Sequence, residues 1–222
     1  IIPADWVTHA EGGDPGRKVD FRDHVMTHAV PTRAMPMEIY RAPHRVTGLW
    51  WGEKDGLMLI GEYERERRWR TVTALNVGSS KTPRKIFDLS ANEKYADPGY
   101  PLQTPLPNGR YVLLQDGDDI FLSGNGATPD GDRPFLDRFS LTTLRSERLF
   151  RCDRTIYERF VTWIDLTAGT FLTRRESPTD VPNYFVRTLG APLPGNVEAG
   201  EALYASTDRP FTEFPDPTPQ LR

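Results

Sequence analysis

The chain has a single cysteine, Cys152, among its 222 residues. One cysteine can form neither an internal disulfide nor a thiolate-rich zinc site. No apolar run reaches the length of about 18 residues that a membrane span needs. Charged residues make up 27% of the chain and the formal net charge is −3. This balance predicts a soluble globular protein with neither a membrane nor a nucleic acid as its partner.

Metal and cofactor motifs are also lacking. His24 and His28 have a spacing that helical zinc motifs use, but they lie in a strand-like run, where four residues span about 13 Å. The acidic runs 116–119 and 130–132 lack the closing glutamate of an EF-hand loop. The glycine-rich run 124–131 lacks the Gly-Lys-Ser/Thr ending of a phosphate loop, so it indicates an inter-strand loop. We therefore expect no metal and no cofactor.

Strand signals dominate, and no long amphipathic helix is found; at most, residues 90–95 form one helical turn. The runs rich in aromatic and β-branched residues are Val46–Trp51, Leu57–Tyr63, Trp69–Leu75, Arg110–Gln115, Asp119–Ser123, Phe135–Leu141, Tyr157–Ile164 and Thr170–Arg174. Turn pairs separate them at Asp55-Gly56, Asn108-Gly109, Asp116-Gly117 and Ala168-Gly169. Asn-Gly and Asp-Gly favour tight primed hairpin turns, in which both central residues take positive φ.

A weak internal period groups these strands. We expect four short strands to close successive units: Met37–Tyr40, Arg84–Phe87, Glu147–Phe150 and a strand near Arg209–Thr212. Their starts are about 47, 63 and 62 residues apart, and propeller blades repeat at about 40–50 residues or more with insertions. We expect a partial β-propeller of four-stranded antiparallel blades, about three and a half in number. The spans are a partial blade over 1–41 and blades over about 45–88, 97–151 (with an extra hairpin) and 156–214.

Several motifs carry a resemblance to a known family. The more specific are Gly124-Asn-Gly-Ala-Thr-Pro129 and Ser177-Pro-Thr-Asp-Val-Pro-Asn-Tyr184, and the others are Gly12–Val19, Arg22–Met26, Trp51–Gly56, Arg67–Thr71, Phe87–Ser90, Tyr95–Pro101 and Phe214–Leu221. Together they resemble the propeller part of the prolyl oligopeptidase-like serine peptidases, in their glutamyl endopeptidase branch. The resemblance covers nearly the whole chain except the stretch from Pro192 to Ala205.

The resemblance implies a β-propeller ahead of an α/β-hydrolase domain that cleaves peptides, with a preference for glutamate. The hydrolase domain needs a nucleophile on a G-x-S-x-G turn. The chain has no such turn: Ser79-Ser80 follows a glycine but runs into Lys-Thr-Pro. We therefore expect no catalytic residue here, and a role in restricting peptide access to an absent hydrolase domain. Residues 215–222 would begin the linker to that domain, while earlier blades and any targeting segment would lie upstream.

The densest charge run, Glu62–Arg70, permits two interpretations. It is a solvated hairpin end with alternating signs, or Arg67, Arg68 or Arg70 lines a substrate channel and attracts acidic peptides, since a guanidinium fork suits carboxylates.

Two other functions stay open for the chain. A free-standing propeller would act as a binding scaffold and run as a compact monomer in gel filtration. A propeller glycosidase would need two convergent carboxylates.

Overall fold

A computed structural model describes residues 4–10, 16–28, 35–54, 56–80, 82–192, 201–202 and 204–210. All regular structure in these ranges is β-strand, and no helix occurs within them. The strands are β1 (Ala4–His9), β2 (Asp23–His28), β3 (Met37–Ala42), β4 (Arg45–Trp51), β5 (Leu57–Glu64), β6 (Trp69–Asn76), β7 (Arg84–Ser90), β8 (Tyr100–Pro101), β9 (Gln103–Pro105), β10 (Tyr111–Leu113), β11 (Gln115–Asp116), β12 (Asp119–Gly124), β13 (Ala127–Thr128), β14 (Gly131–Asp132), β15 (Phe135–Ser140), β16 (Ser146–Arg151), β17 (Tyr157–Asp165), β18 (Thr170–Glu176), β19 (Asn183–Pro192) and β20 (Tyr204–Pro210).

The strands fall into two compact units. The first unit comprises residues 1–93 and 103–115, and the second comprises 94–102 and 116–222. In the first unit, β1, β2 and β3 form one antiparallel sheet, β4 to β7 form another in chain order, and β9 pairs with β10. Each four- or three-stranded sheet is therefore a meander, in which every strand pairs with the next one along the chain.

Burial in the first unit follows the two-residue period of a strand. Asp23, Val25 and Thr27 of β2 are buried, and the residues between them are half-buried. Strand β5 is central in its sheet and buries both faces over residues 57–62. A buried core forms from Val25, Trp51, Met58, Ile60 and Leu75. Because burying one large apolar side chain contributes about 1.5–3 kcal/mol, this cluster stabilises the unit.

The second unit contains two larger sheets. Strands β17 to β20 form a four-stranded antiparallel meander, and β12, β15 and β16 pair in order, with β8 and β11 also on β12. Aromatic rings join the two sheets: Trp163 meets Phe121 edge-on at 5.5 Å between ring centroids, and Phe150 meets Phe171 at 5.8 Å. Edge-to-face pairs contribute about 0.5–1.5 kcal/mol each beyond the area that they bury.

The all-β, antiparallel class predicted from the sequence is confirmed, whereas two local predictions are wrong. Gly109, Gly117 and Gly169 take positive φ of 61–78°, but their partners Asn108, Asp116 and Ala168 do not, so the turns are not of the primed type with two positive φ. Glycine alone supplies the unusual backbone there. Residues 90–95 form hydrogen-bonded turns, with Glu93 N donating to Ser90 O at 3.1 Å, and no helical turn.

Some sequence predictions lie outside the described residues, in whole or in part. These are Asp55 of the first turn pair, part of the motif Gly12–Val19, residues 211 and 212 of the last closing strand, the motif Phe214–Leu221 and the linker 215–222. The assignment of the sheets to propeller blades stays a prediction.

Candidate functional site

The three arginines predicted to attract acidic peptides lie at one end of the β5–β6 hairpin. Arg67 and Arg68 are exposed in the turn after β5, and Arg70 is half-buried in β6, opposite Tyr63. Arg68 takes a positive φ of 52°, which is uncommon for a residue other than glycine. The structure thus brings the three residues together at a hairpin end, as the charge pattern predicted. Their contact with a substrate stays a prediction.

Neighbouring groups fix part of this hairpin end. Arg67 Nη1 donates to Glu64 Oε2 at 3.1 Å, and its guanidinium lies 4.7 Å from the Trp69 ring centroid. The Trp69 indole donates to Asp88 Oδ1 at 2.5 Å. This hydrogen bond and another from Lys85 lower the pKa of Asp88. The hairpin end therefore carries internal ion pairs besides its surplus of arginine.

The glycine-rich motif of 124–131 forms a small hairpin between β12 and β15. Strands β13 and β14 pair through Ala127 with Asp132 and through Thr128 with Gly131. Gly126 has a φ of 61°, and a Cβ on it would lie 2.1 Å from the carbonyl oxygen of Arg133. Only glycine fits that position, because any side chain meets backbone there. The motif is thus an inter-strand loop, as predicted, and it positions Arg133 directly after it.

Two of the family motifs pack against each other. Gly99 has a φ of 79°, and a Cβ on it would lie 2.4 Å from the carbonyl oxygen of Ser123. Strand β8 then pairs Tyr100 with Ser123, and Leu102 N donates to Phe121 O at 2.8 Å. The segment 95–101 therefore needs its glycine because its backbone lies directly against β12.

A cavity of about 210 Å³ opens beside the glycine-rich hairpin. We call it the arginine cavity, and the residues that line it are Thr128, Pro129, Asp130, Gly131, Asp132, Arg133, Arg151, Arg154 and Glu201. Arg133 is held from behind, since its Nε donates to the Cys152 carbonyl at 2.9 Å. Its two terminal nitrogens both hydrogen-bond to the Glu201 carboxylate: Nη1 donates to Oε1, and Nη2 donates to Oε2 at 3.1 Å. This is the two-pronged geometry by which arginine recognises carboxylates.

Charges converge on the Glu201 carboxylate. The hydrogen bond from Arg133 lowers the pKa of Glu201, with further lowering by the charges of Arg133, Arg151 and Arg154. Burial and three neighbouring arginines lower the pKa of Arg151. Because the folded-state pKa of Glu201 is lowered, the ion pair stabilises the fold above the ordinary glutamate pKa, and this stabilisation is lost as the pH falls through the folded-state value.

Sequence reasoning missed the arginine cavity. Arg133 follows the glycine-rich motif, and Arg151 and Arg154 flank Cys152 and Asp153, so a local concentration of arginine was visible. Glu201 lies 68 residues beyond Arg133 in the chain, in a stretch that matches no motif. The two meet where the sheet of β17 to β20 packs beside the sheet of β12, β15 and β16, as Tyr204 and Glu147 also do through a hydrogen bond of 2.6 Å, and no short-range pattern encodes that packing.

Other reactive side chains have structural roles. Cys152 is fully buried, its thiol donates to the Ile156 carbonyl at 3.1 Å, and its sulfur accepts from Glu158 N at 3.0 Å. Burial raises the pKa of this thiol, the opposite of what a nucleophilic cysteine needs. His24 and His28 lie on the extended strand β2. Residues four apart on a strand are too far from each other to bind one metal ion.

Within the described ranges, no group of three or more His, Cys, Asp or Glu side chains is arranged to hold a metal ion. Among the same residues, no helix has the length and apolar character needed to cross a membrane.

No protein-family model matches the chain. It is 30% identical, over an alignment of 232 positions, to "Probable glutamyl endopeptidase, chloroplastic" from Oryza sativa subsp. japonica, and 28% identical over 225 positions to the protein of the same name from Arabidopsis thaliana. Each alignment covers 97% of this chain and 23% of the relative, so the chain spans under a quarter of their length. The resemblance to glutamyl endopeptidases read from the motifs is therefore confirmed.

Among solved structures, the crystal structure of TolB from Acinetobacter baumannii aligns with a TM-score of 0.40 and 10% sequence identity. The alignment covers 87% of this chain and 47% of the TolB chain.

Proposed function

We propose that this chain is a non-catalytic β-propeller segment of a longer serine endopeptidase of the prolyl oligopeptidase type, with a preference for glutamate. One observation carries the proposal: nearly all of the chain aligns with less than a quarter of two proteins named glutamyl endopeptidases. The chain also lacks the G-x-S-x-G turn that presents a serine nucleophile. The peptide-cleaving chemistry then belongs to an α/β-hydrolase domain elsewhere in the parent protein.

The sheet organisation supports the propeller part of this proposal. A propeller blade is a four-stranded antiparallel meander, and blades follow one another along the chain. Sheets β4 to β7 and β17 to β20 have that order, and β1 to β3 have it with three strands. A propeller closes into a ring only when its first and last blades pack against each other. The proposed partners of this segment are therefore the earlier blades and the hydrolase domain of the same parent.

The proposed role is to restrict substrate access. A propeller channel, or a gap between propeller and hydrolase domain, admits short or unfolded peptides and excludes folded proteins by size. Within this proposal, Arg67, Arg68 and Arg70 are substrate-channel residues. Their support is that all three lie at one hairpin end, where the side chains of Arg67 and Arg68 are exposed. A guanidinium attracts the carboxylate of an acidic peptide over a distance of about 10 Å at moderate salt.

A peptidase assay on the pure chain tests the assignment. The substrate is a short peptide with one internal glutamate, and the full-length parent protein is the positive control. We expect no hydrolysis above buffer by the chain, whereas the parent cleaves after the glutamate. The parent should leave the same sequence uncut when it is placed in a tight loop of a stable folded protein. Measurable cleavage by the chain, at a rate that survives repurification, would overturn the non-catalytic assignment.

A further inference from the structure

We propose that strand β17 carries a contact site for an apolar side chain of an unfolded peptide, and that Val161 and Ile164 form this site. The inference rests on the proposed function for the identity of the ligand, a peptide that enters the propeller channel. It adds a second specificity to that function, because the group recognised is apolar and is not the glutamate side chain.

Two β-bulges set Val161 and Ile164 apart from the other residues of β17. The pairing of β17 with β18 skips one residue after Phe160 and another after Trp163. The two extra residues are Val161 and Ile164. A bulge leaves its extra residue out of the ladder, bends the strand and re-aims a side chain. Two bulges so close together therefore give this edge strand a local shape that a regular strand does not have.

Both extra residues are apolar and exposed. Val161 is 40% exposed and Ile164 is 52% exposed, whereas Phe160 between them and the core is buried and packs against Trp163. An edge that needs only protection against unwanted pairing carries charged side chains. The bulge in β4, the first strand of the other four-stranded sheet, has the exposed polar residue Thr47 as its extra residue. Apolar residues at both bulges of β17 therefore indicate contact with an apolar group.

The bulges also indicate which kind of partner fits. Among the described residues, β17 pairs with β18 alone, so its other edge is open. A doubly bulged edge is a poor template for a further strand, because its backbone groups do not follow a regular ladder. This argues against a strand of a second copy and favours a side chain as the contacting group. In the proposed propeller, β17 is the first strand of its blade and lies nearest the central channel, where an unfolded peptide passes.

A peptide titration of the chain, followed by methyl NMR, tests the site. The chain carries isotope-labelled valine and isoleucine methyl groups, the probe is acetyl-Gly-Leu-Gly-amide and the comparison peptide is acetyl-Gly-Gly-Gly-amide. We expect the leucine peptide to shift the methyl signals of Val161 and Ile164 in a saturable way, and the glycine peptide to leave them unchanged. Measured on the methyl signals of the leucine peptide itself, Val161→Ser with Ile164→Ser should weaken binding by about tenfold, since two apolar contacts are lost.

The matched control is Thr47→Ala, which changes the extra residue of the bulge in β4 and should leave the affinity for the leucine peptide unchanged. Because Val161 and Ile164 are exposed, their replacement by serine should preserve the fold, which circular dichroism checks. If the double variant does not fold, the methyl shifts of the unaltered chain decide the question by themselves.

Three results would overturn the inference. The first is the absence of a saturable shift at Val161 and Ile164 with the leucine peptide, and the second is an equal shift with the glycine peptide. The third is a shift that depends on the concentration of the chain without peptide, which would make a second copy the partner. A parent protein that cleaves peptides beside a chain that does not bind the leucine peptide would contradict this inference alone. The reverse pair of results would contradict the proposed function alone.

Discussion

Replacing Glu158 with leucine is expected to lower the free energy of unfolding by about 3–5 kcal/mol, because it leaves Arg187, whose side chain is only 11% exposed, without its carboxylate. Glu158 has no exposed surface, and Arg187 donates to it twice, through Nε at 2.7 Å and Nη2 at 2.5 Å. Thr173 donates a further hydrogen bond to Oε1. Urea denaturation of the pure chain, followed by tryptophan fluorescence, measures the loss.

The matched control for this prediction is the double variant Glu158→Leu with Arg187→Met. Replacing both members of a buried ion pair with apolar groups of similar size is often neutral or stabilising. The double variant should therefore recover most of the stability that the single variant loses. A loss below about 1 kcal/mol in the single variant would mean that water or another group compensates the Arg187 charge, contrary to its burial.

Replacing Asp23 with alanine is expected to destabilise the chain by about 3 kcal/mol, since one buried carboxylate serves three partners. Asp23 has no exposed surface. Its Oδ1 lies 2.7 Å from His9 Nδ1 and 2.5 Å from Arg45 Nη1, and its Oδ2 accepts from Val46 N at 2.7 Å. The carboxylate thereby joins β2 to the beginning of β4. Thermal unfolding, followed by circular dichroism, measures the change in midpoint.

An exposed aspartate three residues earlier provides the control for Asp23. Asp20→Ala removes a carboxylate from the surface, so its effect should lie within about 0.5 kcal/mol of zero. Asp23→Asn keeps one acceptor oxygen and should fall between the two. If Asp23→Ala and Asp20→Ala had the same midpoint, the link from β2 to β4 through this carboxylate would contribute nothing to stability.

The strands were predictable because their signals are local. Val46–Trp51 and Tyr157–Ile164 lie within β4 and β17, as their β-branched and aromatic residues indicated. The hairpin glycines were predictable for the same reason, since positive φ is a property of one residue. The predicted strand 110–115 is interrupted at Leu114, where the chain passes from β10 to β11. Nothing in its apolar pattern marks that break.

Long-range pairs were not predictable from the sequence. Glu158 and Arg187 lie 29 residues apart, and Arg133 and Glu201 lie 68 apart. Each is one of many charged residues in a chain with 28 Lys and Arg and 31 Asp and Glu. Composition alone cannot decide which cation meets which anion, because strand register determines the partners. The Arg67, Arg68 and Arg70 cluster was found only because its members are neighbours in the chain.

We expect the residues that cleave peptides to lie in the parent protein outside residues 1–222. Covalent labelling of the parent protein with a fluorophosphonate, which reacts with activated serine nucleophiles, followed by peptide mass spectrometry, tests this most directly. We predict that the parent protein is labelled at one serine that lies outside residues 1–222. A label on a serine of this chain, such as Ser79 or Ser80, with loss of peptidase activity, would contradict the central claim.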